Sequence, residues 1–319
     1  MAIELINLKK NYSVGAPGSL RRGVKLLQAV DDVTFMIREG ETVALIGESG
    51  CGKTTIAKII LRLETATDGT VRFYGKDLKL FSKTKLIEYR RLVQAVFQNP
   101  YTSFNPRMRV GDAIAEPIIV NYKMSRKEVQ SRVVEVLRQV GLREESVNLY
   151  PHEFSGGQRQ RLAIARALGS KPRFIVLDEP VSALDVSIRA QIMNLLKRLQ
   201  EELGVGYLLI AHDLGTAIHL SHRVEIIYSG KVMESVRASE LFHSALHPYT
   251  KALVDAASPK QLRELGDKFI VPGEPPDPLN PPVGCRFHPR CFKRIPKCSL
   301  DEPQLCNVDD EHMVRCHLY

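Results

Sequence analysis

Short apolar runs alternate with stretches of helical period over roughly the first 230 residues of the chain. The runs have the length of buried strands, and the stretches between them place apolar residues on one face of a helix. We predict strands at 30–37, 42–46, 70–74, 92–97, 174–177, 207–210 and 223–228. We predict helices at 55–63, 158–168 and 188–203, a further helix after a Ser125–Glu128 capping box, and a long hairpin loop at 15–23. Strands that alternate with helices predict an α/β sheet core.

The pattern changes twice along the chain, which predicts its domain organisation. The period is helical throughout about 99–165, and this indicates a helical subdomain inserted into the sheet domain. From about residue 245 prolines become frequent, and proline excludes long helices. We therefore predict a first domain at 1–245 and a small, cysteine-rich C-terminal domain at 246–319.

A glycine-rich stretch, 47-GESGCGKT-54, fits the pattern G-x-x-x-x-G-K-S/T between a predicted strand and a predicted helix. Its glycines let the backbone curl so that N–H groups point inward at a helix N-terminus, which favours an anion. We expect Lys53 to reach the β- and γ-phosphates of a nucleotide and Thr54 to bind Mg²⁺. A chance glycine-rich turn is the alternative. The predicted nucleotide contacts here are Gly47, Glu48, Ser49, Gly50, Cys51, Gly52, Lys53, Thr54 and Thr55.

Two acids follow a second apolar run, 174-FIVL-177. Ligands of open α/β sheets bind beyond the carboxyl ends of the strands, which is where Asp178 and Glu179 fall. We expect Asp178 to support Mg²⁺ and Glu179 to act as the general base that polarises an attacking water. The alternative is a solvated acidic pair that leads into a turn at Pro180.

Four further motifs, 96-VFQNP-100, 154-FSGGQ-158, 182-SALD-185 and 210-IAHD-213, follow in this order around the two acids. With them the chain resembles the ATP-binding subunit of an ABC transporter. The resemblance implies that Tyr12 stacks on adenine, that Gln98 contacts Mg²⁺, and that His212 lies near the γ-phosphate. It also identifies Asp185 with the D-loop of the family. Phe154 stands where the family usually has leucine.

The stretch 154-FSGGQ-158, called the signature below, also has a physical interpretation that does not depend on the resemblance. Ser155 is a suitable N-cap for the helix that follows, and Gly156 and Gly157 allow close approach of the backbone. Their N–H groups and those near Gln158 could therefore meet a γ-phosphate. A helical insertion separates the signature from the phosphate loop, 47-GESGCGKT-54, of its own chain. We therefore expect a head-to-tail dimer in which each signature closes the nucleotide site of the partner.

The last third of the chain narrows the resemblance. The C-terminal extension of oligopeptide and dipeptide permease ATP-binding subunits resembles two stretches of this region, 247-HPYTKAL-253 and 284-GCRFHPRC-291. Two earlier stretches also resemble these subunits, 101-YTSFNPRM-108 and 178-DEPVSALDVS-187. The resemblance implies an ATPase that drives peptide import. Its expected partners are a second ATP-binding subunit, in a homodimer or a heterodimer, two membrane permease subunits and an extracytoplasmic solute-binding protein. Nickel or an oligosaccharide is an alternative substrate. A nucleic-acid ATPase of the same class is disfavoured because it needs a long coiled coil before the signature.

Composition and charge change this interpretation little. No apolar run approaches the roughly 18–20 residues that span a bilayer, and the first residues lack the apolar segment of a signal peptide. We therefore expect a peripheral protein on the cytoplasmic face of the membrane. The net charge of +9 is compatible with nucleic acid or an anionic membrane, but the basic residues are scattered, and we expect no nucleic-acid partner.

Five of the six cysteines lie in the last 35 residues. Stable disulfides are not expected in the cytosol, and clustered thiolates favour a metal, which would staple a module with little core. The resemblance implies a 4Fe–4S cluster on Cys285, Cys291, Cys298 and Cys316 and leaves Cys306 without a role. Zinc is the alternative, with His288, His312 and His317 as further ligands, and buried free cysteines are another.

Overall fold

The computed structural model describes residues 2–14, 25–99, 103–257 and 271–319. The chain divides into two compact units, of which the first contains 1–36, 43–79 and 210–319, and the second 37–42 and 80–209. The strands are β1 Ile3–Val14, β2 Lys25–Ile37, β3 Thr42–Ile46, β4 Asp68–Phe73, β5 Lys76–Asp77, β6 Val93–Val96, β7 Phe174–Asp178, β8 Gly206–Ala211, β9 Arg223–Tyr228, β10 Lys231–Arg237, β11 Cys306–Asp309 and β12 His312–Val314. The helices are α1 Lys53–Ile60, α2 Lys83–Leu92, α3 Val110–Asn121, α4 Arg126–Gln139, α5 Gly156–Gly169, α6 Val186–Leu203, α7 Leu214–Leu220, α8 Leu241–Ser244 and α9 Pro248–Ala257.

The first unit contains two sheets. One has the order β2-β1-β4-β5, with β1 antiparallel to β4. The other has the order β11-β12-β10-β9-β3, in which β3 is parallel to β9 and the remaining pairs are antiparallel. The turn between β9 and β10 consists of Ser229 and Gly230, and both have positive φ, 45° and 82°. Such a turn matches the twist of the two strands, so β10 folds back directly on β9.

The second unit contains the strand order β8-β7-β6, with β6 parallel to β7. Helices α3, α4 and α5 pack on one another beside these strands. The predicted capping box of Ser125 and Glu128 is confirmed, and α4 begins directly after it. The apolar residues of β7 and all residues of β8 are buried, as expected for strands that are covered on both faces.

The C-terminal segment, residues 271–319, belongs to the first unit. Apart from β11 and β12 it consists of turns, including short 3₁₀ turns at His288–Arg290 and Pro296–Ser299. Several ion pairs connect it to the strands of its unit, among them Arg286 to Asp31, Arg315 to Asp32 and Glu302 to Lys231. The domain boundary at 245/246 and the helical subdomain at about 99–165 remain predictions.

Several element bounds differ from the predictions. Strand β2 begins at Lys25, five residues before the predicted start. Helix α1 ends at Ile60 rather than at residue 63, because Arg62 adopts a left-handed backbone with φ of 56°. The predicted hairpin loop at 15–23 lies outside the described residues.

Candidate nucleotide-binding site

The predicted phosphate loop joins the end of β3 to the start of α1. A Cβ atom at Gly47 would lie 2.0 Å from the carbonyl oxygen of Ile227, so glycine is required where the loop leaves the sheet. Gly50 and Gly52 have φ of 79° and 107°, values that L side chains rarely adopt. No side chain caps α1, whose N-cap is Gly52. The N-terminal amides of α1 are therefore suited to an anion, as the sequence predicts.

Lys53 lies within this loop. Its side chain is buried, and Nζ donates to the carbonyl oxygens of Gly47 at 2.6 Å and Glu48 at 3.0 Å. Nζ is also 3.6 Å from Sγ of Cys51. Burial raises the pKa of the Cys51 thiol above its usual value, and the charge of Lys53 only partly opposes this. Cys51 is therefore a packed thiol, and the Lys53 ammonium lies where it can exchange two carbonyls for phosphate oxygens.

Residues distant in sequence support the loop from the same unit. The N–H of Glu48 donates to the hydroxyl of Tyr249 at 3.0 Å, and Nη1 of Arg290 donates to Oε2 of Glu48 at 2.8 Å. The N–H of Gly230 donates to the carbonyl of Cys51 at 2.9 Å. Sequence reasoning missed these supports, because no local pattern links positions about two hundred residues apart.

In the second unit, Asp178 ends β7 and Glu179 follows it. Glu179 has a left-handed backbone with φ of 49°, which is unusual for a residue other than glycine. Nε2 of Gln98 donates to Oε2 of Glu179 at 2.6 Å and lies 3.5 Å from the hydroxyl of Ser182. The structure thus brings together two predicted site residues, Gln98 and Glu179. The predicted contact of Gln98 with Mg²⁺ remains a prediction.

The signature stretch forms the start of α5. Ser155 is the N-cap, as predicted, and its Oγ accepts from the N–H of Gln158 at 3.4 Å. The Gln158 side chain returns the bond by accepting from the N–H of Ser155 at 2.9 Å. Gly156 and Gly157 form the first turn of the helix. Ser155 and Gln158 are exposed, so this helix end is accessible to a ligand.

Three other predicted site residues lie at or near the ends of their elements. Tyr12 lies in β1, and Nζ of Lys10 is 4.7 Å from the centroid of its ring. His212 follows the last residue of β8 and is exposed. Asp185 is the N-cap of α6, although its side chain makes no capping bond. Their predicted contacts with nucleotide remain predictions.

The C-terminal cysteines are free thiols. Burial, with a smaller contribution from the charges of Cys298, Cys316 and Cys291, raises the pKa of Cys285 to about 11. The N–H of Cys285 donates to the carbonyl of Cys298 at 2.9 Å. However, across residues 2–14, 25–99, 103–257 and 271–319, no three His, Cys, Asp or Glu side chains are grouped so as to hold a metal ion. The predicted iron–sulfur or zinc site therefore has no support in the fold.

The three histidines predicted as alternative zinc ligands have other partners. Nε2 of His312 is 2.7 Å from a carboxylate oxygen of the buried Glu234. Nδ1 of His288 is 2.9 Å from the carbonyl of Cys285, and Nε2 of His317 is 2.8 Å from the carbonyl of Asp301. Each of these contacts gives one ring nitrogen of the histidine a partner other than a metal.

Two family profiles match the chain: "ABC transporter" over residues 30–182, and "Oligopeptide/dipeptide transporter, C-terminal region" over residues 233–298. The oligopeptide transport ATP-binding protein OppF of Salmonella typhimurium is 48% identical over 92% of this chain and 88% of its own length. The dipeptide transport ATP-binding protein DppF of Haemophilus influenzae is 43% identical over 98% of this chain and 95% of its own length. A dimeric structure of MJ0796, a bacterial ABC transporter cassette, superposes with a TM-score of 0.65 at 33% identity, covering 74% of this chain and 98% of that chain.

The phosphate loop, the acids after β7, the capped signature helix and the mixed sheet together define an ATP-binding cassette. At this level of identity over nearly the whole chain, the protein belongs to the ABC transporter family, among its oligopeptide and dipeptide transport ATP-binding proteins. It is an ATP-hydrolysing transporter subunit. None of the helices that the structure describes is both long and apolar enough to cross a bilayer.

Proposed function

We propose that the protein drives the import of dipeptides or oligopeptides by hydrolysing ATP. The observation that carries this proposal is the match of residues 233–298 to the C-terminal region of oligopeptide and dipeptide transporters. Relatives that share 40–48% of its residues are named as transport ATP-binding proteins for oligopeptides or dipeptides. Nickel or an oligosaccharide is the alternative substrate that a transport assay must distinguish.

The phosphate loop supplies the binding step of this proposal. The amides at the start of α1 and the ammonium of Lys53 receive the phosphates, and Tyr12 stacks on the adenine. Hydroxyl and amide oxygens are ligands that Mg²⁺ accepts, so Thr54, whose side chain is exposed, and Gln98 fit the ion. When bound, Mg²⁺ neutralises charge that develops on the phosphates.

Glu179 supplies the chemical step. Its carboxylate accepts a proton from the attacking water, while Asp178 supports the Mg²⁺ site and His212 stabilises the transferring phosphoryl group. In the structure Oε2 of Glu179 already accepts a bond from Gln98 at 2.6 Å. This hydrogen bond occupies a lone pair with which Glu179 would accept the proton of the water. If Gln98 moves away, Glu179 becomes a stronger base toward that water. Gln98 thereby gates hydrolysis in our proposal.

The signature completes the site in a dimer. Ser155, Gly156 and Gly157 of one protomer present helix amides to the nucleotide of its partner, with Asp185 beside them. The capped and exposed start of α5 supports this role, because its backbone geometry is fixed before the ligand arrives. Hydrolysis then requires two cassettes, in a homodimer or a heterodimer.

The remaining partners follow from the importer role. Two transmembrane permease subunits and an extracytoplasmic solute-binding protein complete the assembly, with this chain peripheral on the cytoplasmic face. We propose no nucleic-acid partner. Hydrolysis stimulated by DNA or RNA in the absence of permease subunits would contradict this assignment.

The experiment that tests the importer proposal uses the intact complex in vesicles with ATP inside. Labelled dipeptides, longer peptides, Ni²⁺ and an oligosaccharide are offered with the solute-binding protein, and uptake and phosphate release are measured together. We expect peptide uptake coupled to hydrolysis. Uptake of only Ni²⁺ or only the oligosaccharide would overturn the proposed peptide substrate. In a separate measurement, the Glu179→Gln variant should bind ATP but release no phosphate. Unchanged hydrolysis by that variant would refute the role of Glu179.

We also retain a 4Fe–4S cluster on Cys285, Cys291, Cys298 and Cys316 as a proposal, with zinc as its alternative. The proposal rests only on the resemblance to dipeptide-permease subunits, because no group of three or more His, Cys, Asp or Glu side chains suited to a metal exists among the described residues. Anaerobic purification followed by iron, sulfide and zinc analysis tests it. Cys298→Ser should abolish metal binding, whereas the control Cys306→Ser should retain it. Wild-type protein that contains no iron and no zinc would overturn the proposed metal site.

A further inference from the structure

The phosphate loop is connected to the C-terminal segment through a single residue, Glu48. Its backbone N–H donates to the hydroxyl of Tyr249 at 3.0 Å, and its carboxylate accepts from Nη1 of Arg290 at 2.8 Å. Both the main chain and the side chain of Glu48 are therefore fixed from outside the loop. Glu48 lies between Gly47 and Ser49, so these contacts act directly on the backbone that is expected to surround the phosphates.

Arg290 is itself held in one orientation. Its side chain is 9% exposed, its Nε donates to the carbonyl of Pro272 at 2.9 Å, and its Nη1 lies 3.2 Å from the hydroxyl of Tyr228. A planar guanidinium with several fixed partners directs its N–H groups rigidly. Arg290 is thus shielded from solvent, and its ion pair with the half-buried Glu48 has a defined geometry.

Tyr249 is held in a similar way, by aromatic packing. The rings of Tyr228, Tyr249 and Phe287 lie 4.8–5.3 Å apart, centroid to centroid, and none of the three side chains is more than 1% exposed. Phe287 belongs to the C-terminal segment, so this segment sets the position of the Tyr249 hydroxyl. Edge-on and tilted aromatic contacts of this kind have specific geometry.

A flexible glycine-rich loop loses conformational entropy when it orders around a nucleotide, and restraints present beforehand reduce that loss. We propose that Arg290 and Tyr249 are positioning residues of the ATP site: they hold Glu48, and through it the phosphate loop, in the nucleotide-binding conformation. The C-terminal segment therefore sets the affinity for ATP. This inference rests on nucleotide binding at the loop and not on the identity of the transported solute.

The alternative is that Arg290 only fastens the C-terminal segment to the rest of its unit. Arg315 provides the comparison, because it belongs to the same C-terminal segment as Arg290 and is also buried. Its side chain pairs with Asp32 of β2 and with Glu302. Its partners lie outside the phosphate loop. Loss of Arg315 therefore loosens the segment without removing a contact to Glu48.

The test measures nucleotide dissociation constants of the full-length chain by calorimetry, using ATP with the Glu179→Gln background to prevent turnover. Arg290→Met should weaken ATP binding roughly tenfold, a typical coupling between sites. The control Arg315→Met should lower the melting temperature but change affinity less than twofold. If both variants weaken binding equally, or Arg290→Met binds like the parent, the proposal is overturned.

Two further variants keep the test decisive if Arg290→Met folds poorly. Glu48→Met combined with Arg290→Met removes both charges, so no unpaired buried charge remains, and folding should recover while ATP affinity stays low. Tyr249→Phe removes only the hydroxyl and should weaken binding several-fold. The control is Tyr207→Phe, which removes a buried hydroxyl that donates to the Leu196 carbonyl at 3.1 Å. This control variant should not weaken ATP binding.

A parental chain that binds no ATP would overturn the positioning role together with the ATPase assignment. A chain that binds ATP but serves no peptide importer would overturn only the proposed substrate. Wild-type affinity in both the double variant and Tyr249→Phe would overturn the positioning role alone. Calorimetry of the chain and the uptake assay with the intact complex together distinguish the three failures.

Discussion

Two adjacent glycines at the start of α5 differ sharply in their surroundings, and this difference predicts opposite responses to alanine. A Cβ atom at Gly157 would lie 2.5 Å from Cγ2 of Ile188. A Cβ atom at Gly156 would meet only Cδ2 of Leu184, at an ordinary 3.7 Å. Carbon atoms pack best at about 3.5–4.0 Å, so Gly157→Ala forces a shift of about 1 Å.

Ile188 cannot absorb this shift by rotating freely. It is β-branched and lies in helix α6, where one χ1 rotamer is strongly preferred. Overpacking of this kind costs about 1–3 kcal/mol. Gly156→Ala has no such clash and gains up to about 1 kcal/mol, because alanine loses less backbone entropy than glycine. We therefore expect the two variants to differ by about 2 kcal/mol or more in the free energy of unfolding.

Urea titration followed by far-ultraviolet circular dichroism and tyrosine fluorescence measures this difference, since the chain has 10 tyrosines and no tryptophan. Adding Ile188→Ala to Gly157→Ala removes the clashing methyl and should recover part of the loss. Equal stability of the two alanine variants, or no recovery in the double variant, would refute the packing argument. Gly156→Ala should fold normally yet lose ATPase activity, because its Cβ narrows the approach of the partner's nucleotide to the helix amides.

Two further predictions concern the C-terminal segment. Gly284→Ala should destabilise the chain in thermal melts far more than Gly273→Ala, because both have positive φ, 74° and 69°, but only Gly284 would place a Cβ 2.5 Å from the carbonyl of Cys298; equal melting temperatures would contradict this. The hydrogen bond to Glu234 raises the pKa of His312 above its usual value. The stabilisation is therefore complete below about pH 6.5, the pKa of unfolded histidine, and is lost as pH rises through the raised folded pKa. The stability advantage of wild type over His312→Gln should shrink accordingly, and a constant advantage from pH 6 to 9 would count against the ion pair.

The parts of the site that sequence predicts are those that local chemistry determines. Strands β3 and β9 have the predicted bounds, because the apolar residues of β3 end at Gly47 and those of β9 end at Ser229. The N-caps Ser125 and Ser155 were predictable because a cap is satisfied within three residues of itself. The phosphate loop follows from its glycines and its lysine in the same way.

The remaining features depend on contacts between distant residues. The Arg290–Glu48 pair joins positions 242 apart, and no pattern near either residue marks it. The early end of α1 depends on a left-handed arginine rather than on glycine, the usual signal for a helix end. Likewise, the pairing of β12 with β10 adds a three-residue strand that is too short to be recognised from its own composition.

The order in which the chain enters its two units has a consequence for biosynthesis. The second unit is nearly continuous, at 80–209, whereas the first needs both 43–79 and 210–319. Since β9, β10 and β12 are made last, the strand that leads into the phosphate loop emerges from the ribosome long before its neighbours exist. Domains tend to fold as their residues emerge during translation. A premature stop before β9 therefore leaves the apolar surface of β3 exposed to aggregation or to chaperones, even though Asp178 and Glu179 have already been synthesised.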